Sequence, residues 1–185
     1  MMGYHRHTLR LRKCLYTHGL FYVTIGAYKH ACIFGEIKDN EFLINNLGKI
    51  ILNYYQNLNK RFNNIELGLI QVMPNHIHCL IRINKQINDL SLGRGNRAPT
   101  LITLGRIIAY WKYNATKEIN SRGGVSPPLF KNNWNHLMNG KIFQRNYYER
   151  IIRNNEELEK VKKYINLNPL MWQRDGNNPK NLKKS

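Results

Sequence analysis

The sequence predicts a single α+β domain in which an antiparallel β-sheet is backed by helices. Three observations predict this class. The length of 185 residues fits one domain at roughly 150 residues per domain. Apolar residues make up 42% of the chain, which is enough to build a core. The predicted elements follow the order strand, strand, helix, strand, strand, helix, helix. We expect the domain to span residues 1–172 and a basic, disordered tail to follow over 173–185.

The first third of the chain is predicted to form a hairpin and a helix. Residues 20–25 are rich in β-branched and aromatic side chains and start after Gly19, as a strand does. Residues 31–34 are a shorter strand candidate that could return as its hairpin partner. Asn40 can cap a helix whose apolar residues, from Leu43 to Leu58, recur at helical spacing.

The rest of the chain is predicted to add two strands and helices. Strands at 65–73 and 76–83 are joined by a connection short enough for antiparallel neighbours. An amphipathic helix is predicted over 101–119. From Tyr147 we expect two further helical pieces broken near Asn154, with capping-box spacing between Asn154 and Glu157 and an end at Asn168-Pro169.

The charge of the chain points to a polyanionic partner. Lys and Arg total 29 against 11 for Asp and Glu, a formal net charge of 29 − 11 = +18. Such an excess opposes compaction, and it makes sense for a protein that meets nucleic acid or an anionic membrane. No apolar run reaches the roughly 18 residues of a membrane-spanning helix, and the basic N-terminus lacks the apolar stretch of a signal peptide. We therefore expect a cytoplasmic protein whose partner is nucleic acid and not a membrane.

Several chemistries are excluded because their motifs are missing. The three cysteines are an odd number without CxxC spacing, so neither a disulfide framework nor a cysteine-based zinc site is indicated. The sequence also lacks a phosphate-binding P-loop, a GxGxxG fingerprint, an HExxH zinc helix and a GxSxG elbow.

Two histidines lie on one face of the predicted strand 76–83. Because side chains alternate on a strand, His76 and His78 point the same way, opposite to Ile77 and Cys79. Two imidazoles on one surface can hold a divalent ion together. The alternative is a pair of ordinary surface histidines, but an otherwise apolar strand has no packing need for them.

The last predicted helix carries a second candidate group. Lys160, Tyr164 and Asn168 recur every fourth residue, on a stripe beside the buried one that contains Val161 and Ile165. Tyr164 could therefore present its hydroxyl to a neighbouring surface, with the amide of Asn168 one turn away. The alternative is a half-buried tyrosine that packs on the sheet and an asparagine that caps the helix.

Basic residues interleave with aromatic ones along the chain, a composition typical of proteins that bind single strands. The alternative is a solvated basic face over ordinary core aromatics, which would not explain the net charge. The candidate DNA-binding residues are Arg10, Arg12, Arg94, Arg97, Arg106, Lys112, Arg145, Arg150, Arg153 and Lys160.

Five segments of the chain resemble segments of the single-tyrosine HUH transposases, specifically of the branch called REP-associated tyrosine transposases, and they occur in the same order along the chain. The segment Met73-Pro74-Asn75-His76-Ile77-His78-Cys79-Leu80-Ile81 resembles the HUH strand, and Tyr164-Ile165-Asn166-Leu167-Asn168-Pro169 resembles the YIxxNP signature. The other three segments are 6–12 with 22–25, 32–37 and 143–153.

This resemblance implies a site and a reaction. His76 and His78 match the two metal-ligand histidines, Asn168 a further contributor to the metal site, and Tyr164 the nucleophile. It also implies a Mg²⁺ or Mn²⁺ ion, single-stranded DNA with a REP-like hairpin as partner, a monomer or homodimer, and a ferredoxin-like or RRM-like sheet. The expected function is cutting and rejoining of single-stranded DNA through a 5′-phosphotyrosine. Tyr147-Tyr148 departs from the branch pattern, so these two tyrosines are the alternative nucleophiles.

Two other functions are compatible with the same residues. A binding protein could hold hairpin DNA or structured RNA without cutting it, because fold does not fix function. A metal-dependent RNase could use the histidines with an activated water and would leave no protein–DNA adduct. Both histidines and Tyr164 together favour the transposase.

Overall fold

In the part of the chain that the structure describes, four strands form one antiparallel sheet and two more form a small second sheet. The structure is a computed structural model, and it describes residues 16–39, 41–85, 101–121 and 140–182. Within these ranges the strands are β1 (Gly19–Gly26), β2 (Gly35–Lys38), β3 (Glu41–Ile44), β4 (Ile65–Val72), β5 (His76–Ile83) and β6 (Tyr148–Ile152). The main sheet has the order β4-β5-β1-β6, and β2 pairs only with β3.

Helices pack on both faces of the main sheet. In the described ranges they are α1 (Asn46–Gln56), α2 (Leu58–Arg61), α3 (Leu104–Ser121), α4 (Asn155–Leu167) and α5 (Pro179–Leu182), with short 3₁₀ turns at Tyr28–His30 and Trp172–Arg174. None of the helices in these ranges is both long and apolar enough to cross a membrane.

The order of the elements confirms the predicted fold class. Without the β2–β3 hairpin and the short α2, the chain runs β1-α1-β4-β5-α3-β6, which is the ferredoxin-like order. Strand β1 is central because it pairs antiparallel with β5 along one edge and with β6 along the other. The sheet therefore places β5, the strand with both histidines, next to the middle of the domain.

The two faces of the sheet bury different clusters. One face carries Phe21, Val23 and Ile25 of β1 and packs against α1 and α3, with Trp111 of α3 fully buried there. The indole of Trp111 donates to the carbonyl of Ile51, so its N–H is not left unpaired in the core. The other face carries Tyr22, Leu80 and Ile152 and is covered by Val161 and Ile165 of α4.

The predicted hairpin partner of the first strand is wrong. Residues 31–34 are irregular, and the strand after them, β2, pairs with β3. Both edges of β1 are already taken by β5 and β6, so a local hairpin has no edge to join.

Two helix boundaries also differ from the prediction. Helix α1 begins at Asn46, and its cap is Asn45, whose side chain accepts from the N–H of Gly48 at 3.0 Å; Asn40 lies outside the described residues. The residues just after Tyr147 form strand β6 instead of a helix. This strand pairs with the edge of β1 that β5 does not occupy, and Tyr148, Ile151 and Ile152 suit a strand.

The start of α4 confirms the predicted Asn154 cap, but the return bond of a capping box goes to the residue before the cap. The Asn154 side chain accepts from the N–H of Glu157 at 2.8 Å, and the Glu157 carboxylate accepts from the N–H of Arg153 at 2.9 Å.

The residues after 172 are folded as far as the structure describes them, contrary to the expected disordered tail. Asp175, Asn177 and Asn178 are buried, and the carbonyl of Asn177 accepts from the Asn75 side chain at 2.7 Å. The composition of this segment did not predict that it folds, because its three buried residues are polar and are held by hydrogen bonds instead of apolar packing.

Candidate active site

The two histidines of β5 face the same side of the sheet, as predicted. His76 and His78 lie on the face covered by α4, and each is only 1% exposed. Ile77, Cys79 and Ile81 between and after them belong to the opposite core. Two fully buried imidazoles need polar partners, and these partners define the site.

His78 is held by two hydroxyls of the neighbouring strand β1. Its Nδ1 lies 2.8 Å from the hydroxyl of Tyr22 and 3.0 Å from that of Thr24. Thr24 is the direct cross-strand partner of His78. Burial raises the pKa of Tyr22 above its ordinary value, so this phenol stays protonated. Either hydroxyl can accept from Nδ1 or donate to it, and the Nε2 atom points away from β1.

His76 is held by Asn75, whose orientation fixes the imidazole tautomer. The Nδ2 of Asn75 donates to the carbonyls of His30 (3.1 Å) and Asn177 (2.7 Å). The Oδ1 of Asn75 therefore faces the Nδ1 of His76, 2.8 Å away, and accepts a hydrogen bond from its N–H. A neutral His76 with its proton on Nδ1 directs a lone pair from Nε2 into the site.

The Nε2 atoms of the two histidines lie 2.9 Å apart. Two lone pairs cannot face each other at this distance, so either a proton or a cation lies between the rings. In the first case His78 donates from Nε2 and its Nδ1 accepts from Tyr22 or Thr24. In the second case the proton of His78 moves to Nδ1, where the same hydroxyls accept it. The pair could therefore share a hydrogen or, together with Asp175, hold a cation.

Two buried oxygens on residues next to the histidines have no hydrogen-bond partner among the described residues. One is Oδ2 of Asp175, which lies 3.7 Å from Nε2 of His76. The other is Oδ1 of Asn168, whose Nδ2 lies 3.3 Å from Nε2 of His78. An unpaired buried carboxylate oxygen is costly unless a cation or a donor meets it. Ligand atoms of His76, His78 and Asp175 all lie within 4.8 Å of one another, so these three residues fit a divalent ion.

Asp175 is the functional candidate that sequence reasoning missed. It lies in the segment expected to be disordered, yet its side chain is 4% exposed and its Oδ1 accepts from the N–H of Asn177 at 2.6 Å. A usable signal was present, because Asp175 is the only acidic residue of the predicted tail and is followed by the turn-forming Gly176-Asn177. Tyr22, Thr24 and Asn75 were also not singled out as partners of the histidines.

Tyr164 lies beside this cluster on α4. It is 48% exposed, off the buried stripe of Val161 and Ile165, as the spacing predicted. Its ring is edge-on to that of His78 with centroids 5.3 Å apart, and to that of Tyr22 at 6.4 Å. Asn168, one turn later, is buried against His78. The structure therefore brings His76, His78, Asn168 and Tyr164 together; the roles assigned to them stay predictions.

The two alternative tyrosines are consecutive residues at the start of β6, and they lie on opposite faces of the sheet. Tyr148 lies on the same face as the site, with its ring 6.4 Å from that of Tyr22 and 42% of its surface exposed. Tyr147 packs instead against the core cluster between the sheet and α1 and α3. Of these two, only Tyr148 is near the candidate ligands.

The candidate DNA-binding cations divide between the two sides of the sheet. Arg150 and Lys160 lie on the side of the site, where Arg150 pairs with Glu157 and Lys160 with Glu156 at 2.6 Å; Arg153 lies in the turn between β6 and α4. Arg106 and Lys112 are on α3, and Lys112 donates to the carbonyl of Arg145 at 3.1 Å. The remaining four, Arg10, Arg12, Arg94 and Arg97, lie outside the described residues.

A solved structure supports the fold at low sequence identity. A REP-associated tyrosine transposase bound to a REP hairpin is 15% identical, and the match covers 93% of this chain and 74% of that one with a TM-score of 0.51. This likeness shows a shared fold. A second structure, from Deinococcus radiodurans, is 12% identical over 84% of this chain and 93% of its own, but its TM-score of 0.46 is too low to inform fold or function.

The sequence itself has one curated relative of clear similarity. No protein-family model matches the chain. A protein of Haemophilus influenzae described as uncharacterized is 30% identical over 180 residues, and the match covers 93% of this chain and 92% of the relative. The chain belongs to the same protein family as this Haemophilus influenzae protein and has the α+β fold found in a REP-associated tyrosine transposase.

Proposed function

We propose that this protein is a metal-dependent HUH-type transposase that cuts and rejoins single-stranded DNA, with Tyr164 as nucleophile. One observation carries the proposal. A half-exposed tyrosine ring lies 5.3 Å from the ring of His78, whose Nε2 faces the Nε2 of His76, and an unpaired buried oxygen of Asp175 lies 3.7 Å from the Nε2 of His76. A nucleophile and a cation site therefore adjoin, which is what phosphoryl transfer requires.

Tyr164 would cleave the strand by nucleophilic attack. The Tyr164 oxygen attacks the scissile phosphorus, forms a new P–O bond and breaks the bond to the 3′ oxygen. The phenolic proton is lost to solvent and the 3′ oxygen leaves as a hydroxyl, which gives a 5′-phosphotyrosine. The covalent bond keeps the phosphate activated, so a 3′ hydroxyl can reverse the step and rejoin the strand.

The ligand set proposed for the ion is His76, His78 and Asp175, with the amide oxygen of Asn168. A bound Mg²⁺ or Mn²⁺ would polarise a non-bridging phosphate oxygen and offset the charge that develops during attack. A carboxylate and an amide oxygen suit these two ions, whereas the imidazoles also suit Zn²⁺ and Ni²⁺. Asn75, Thr24 and Tyr22 would position the two imidazoles by bonding their Nδ1 atoms.

Single-stranded DNA with a hairpin is the proposed substrate. The net charge of +18 favours a polyanion, and the structurally similar transposase is bound to a REP hairpin. Arg150, Arg153 and Lys160 lie on or beside the site, and we propose that they contact phosphates together with the other candidate cations.

A denaturing gel tests the proposal. The full chain is mixed with Mn²⁺ and a 3′-labelled single strand that carries a hairpin. A labelled band that runs with the protein and disappears with EDTA is the expected result. Cleaved DNA without a covalent band would indicate a hydrolase that activates water. Tight binding without cleavage would indicate a binding protein, and either result would overturn the proposal.

A further inference from the structure

The end of α4 and the turn after it expose an unusual concentration of large apolar side chains. Of the nine such residues in the described ranges, four fall within eight consecutive positions. They are Tyr164, Leu167, Leu170 and Met171, with 40 to 58% of their surface exposed. A cluster of this kind on a highly charged protein marks a surface that meets a ligand or a partner.

Three of these side chains, those of Tyr164, Leu167 and Met171, line a groove that opens onto the candidate active site. The groove has a volume of about 550 Å³ and runs from Tyr164 past Leu167 and Met171 to Asn168 and Asp175. Its lining is therefore continuous with both the proposed nucleophile and two of the proposed ligands.

Cations surround the apolar lining. Lys160, Lys163 and Arg174 lie along the groove, and the only acid among the residues that form it is Asp175, whose side chain is buried beside His76. A second copy of this chain would bring its own excess of cations against them, so self-association through this surface is disfavoured. An apolar lining with a positive rim matches a nucleotide, which has an apolar base face and an anionic phosphate.

We propose that this groove binds an unpaired base of single-stranded DNA next to the scissile phosphate, an inference that rests on the proposed function. Leu167 and Met171 contact the face of the base, and Met offers a polarisable thioether for an aromatic ring. Lys163 and Arg174 contact the flanking phosphates. A base held here fixes the position of the strand relative to Tyr164, so the groove selects which phosphate is attacked.

The test separates contacts to bases from contacts to phosphates. The probes are a fluorescent 15-nucleotide thymidine strand and an abasic strand of equal length and charge, measured by anisotropy with the full chain in EDTA. The wild-type protein should bind the thymidine strand about tenfold more tightly, since burying the apolar face of one base against these side chains contributes on the order of that factor. The Leu167→Ala/Met171→Ala double variant should lose most of this preference and bind the abasic strand unchanged.

Matched variants supply the controls. Leu43→Ala/Leu69→Ala removes two equally exposed leucines from β3 and β4, away from the groove, and should keep the full preference. Lys163→Ala/Arg174→Ala should weaken both probes by the same factor, because it removes phosphate contacts only. All the side chains changed here are at least partly exposed, so folding is checked by unchanged melting temperatures.

The outcomes distinguish this inference from the proposed function. If Leu167→Ala/Met171→Ala keeps the preference for bases, the groove does not bind a base, whether or not an adduct forms. If that variant instead converts a dimer to a monomer in light scattering and keeps the preference, the groove is a subunit interface and the inference is wrong. If the preference is lost but no wild-type adduct ever forms, the base site stands and the proposed cleavage falls.

Discussion

The Nε2 atom of His76 lies 2.9 Å from the Nε2 atom of His78, and Asn75 holds the proton of His76 on the opposite ring nitrogen. Either a hydrogen carried on one of these two nitrogens or a metal ion bound by both would remove the repulsion between their lone pairs. The unpaired Oδ2 of Asp175 lies 3.7 Å from the Nε2 of His76, and the side chain of Asn168 approaches the Nε2 of His78 through its Nδ2, at 3.3 Å. Because a metal ion would bind these buried residues in the folded state, its binding can be measured as a rise in melting temperature.

The first prediction is that Mn²⁺ stabilises the folded protein. A ligand present at a hundred times its dissociation constant adds about 2.7 kcal/mol. For a chain of this size that corresponds to a rise in melting temperature of about 5 to 10 °C. His76→Ala and His78→Ala should each abolish the rise. An equal rise in these variants would show that Mn²⁺ binds elsewhere.

The second prediction concerns Asp175. Asp175→Asn keeps an oxygen that can accept from the N–H of Asn177 but removes the charge beside His76. We expect Mn²⁺ affinity, measured by calorimetry, to fall at least about tenfold, the size of effect seen when groups around metal sites are changed. Glu156→Gln removes the same charge from the exposed pair with Lys160 and should leave the affinity unchanged. Equal affinities in all three proteins would exclude Asp175 from the site.

The parts of the fold that follow from local patterns were predictable. The alternation along β5 placed His76 and His78 on one face, and the spacing on α4 placed Tyr164 off the buried stripe, as found. The Asn154 cap was read from residue types alone. Each of these depends only on residues within one element.

The parts that depend on distant partners were not predictable. Strand β6 forms because β1 has an open edge, which no pattern around Tyr148 reveals. Asp175 joins the site because its segment is anchored through Asn177 to Asn75, 102 positions earlier in the chain. Polar side chains that form hydrogen bonds across such separations show no periodicity in the sequence. Sequence patterns therefore predicted His76 and His78 as ligands but not Asp175.

The third prediction concerns acid stability and Glu157. The hydrogen bond from the N–H of Arg153, helped by Arg150 and Arg153, lowers the pKa of Glu157 below its ordinary value of about 4.3. The folded state therefore binds this proton more weakly than the unfolded state. Its stabilising effect is complete above about pH 4.3 and is lost as pH falls through the lower folded pKa.

Urea unfolding at a series of pH values from 7 to 3 measures this effect. Glu157→Gln should be less stable than the wild type at pH 7 and should lose less stability on acidification. Glu159→Gln removes a carboxylate one turn into α4 that pairs with Lys162, and its pH profile should follow the wild type. Parallel profiles for all three proteins would show that Glu157 does not contribute.

The last prediction concerns the nucleophile. Tyr164→Phe removes only the hydroxyl and keeps the ring that packs edge-on against His78 and Tyr22. Melting temperature, Mn²⁺ stabilisation and DNA affinity should therefore match the wild type, while the covalent band disappears. Tyr148→Phe is the matched control, because it removes a phenol that is also half-exposed and also lies beside Tyr22. The Tyr148→Phe variant should retain the adduct.

Peptide mass spectrometry of the trapped wild-type adduct should place the nucleotide on Tyr164. A nucleotide on Tyr148 would move the nucleophile from α4 to β6 and overturn the assignment.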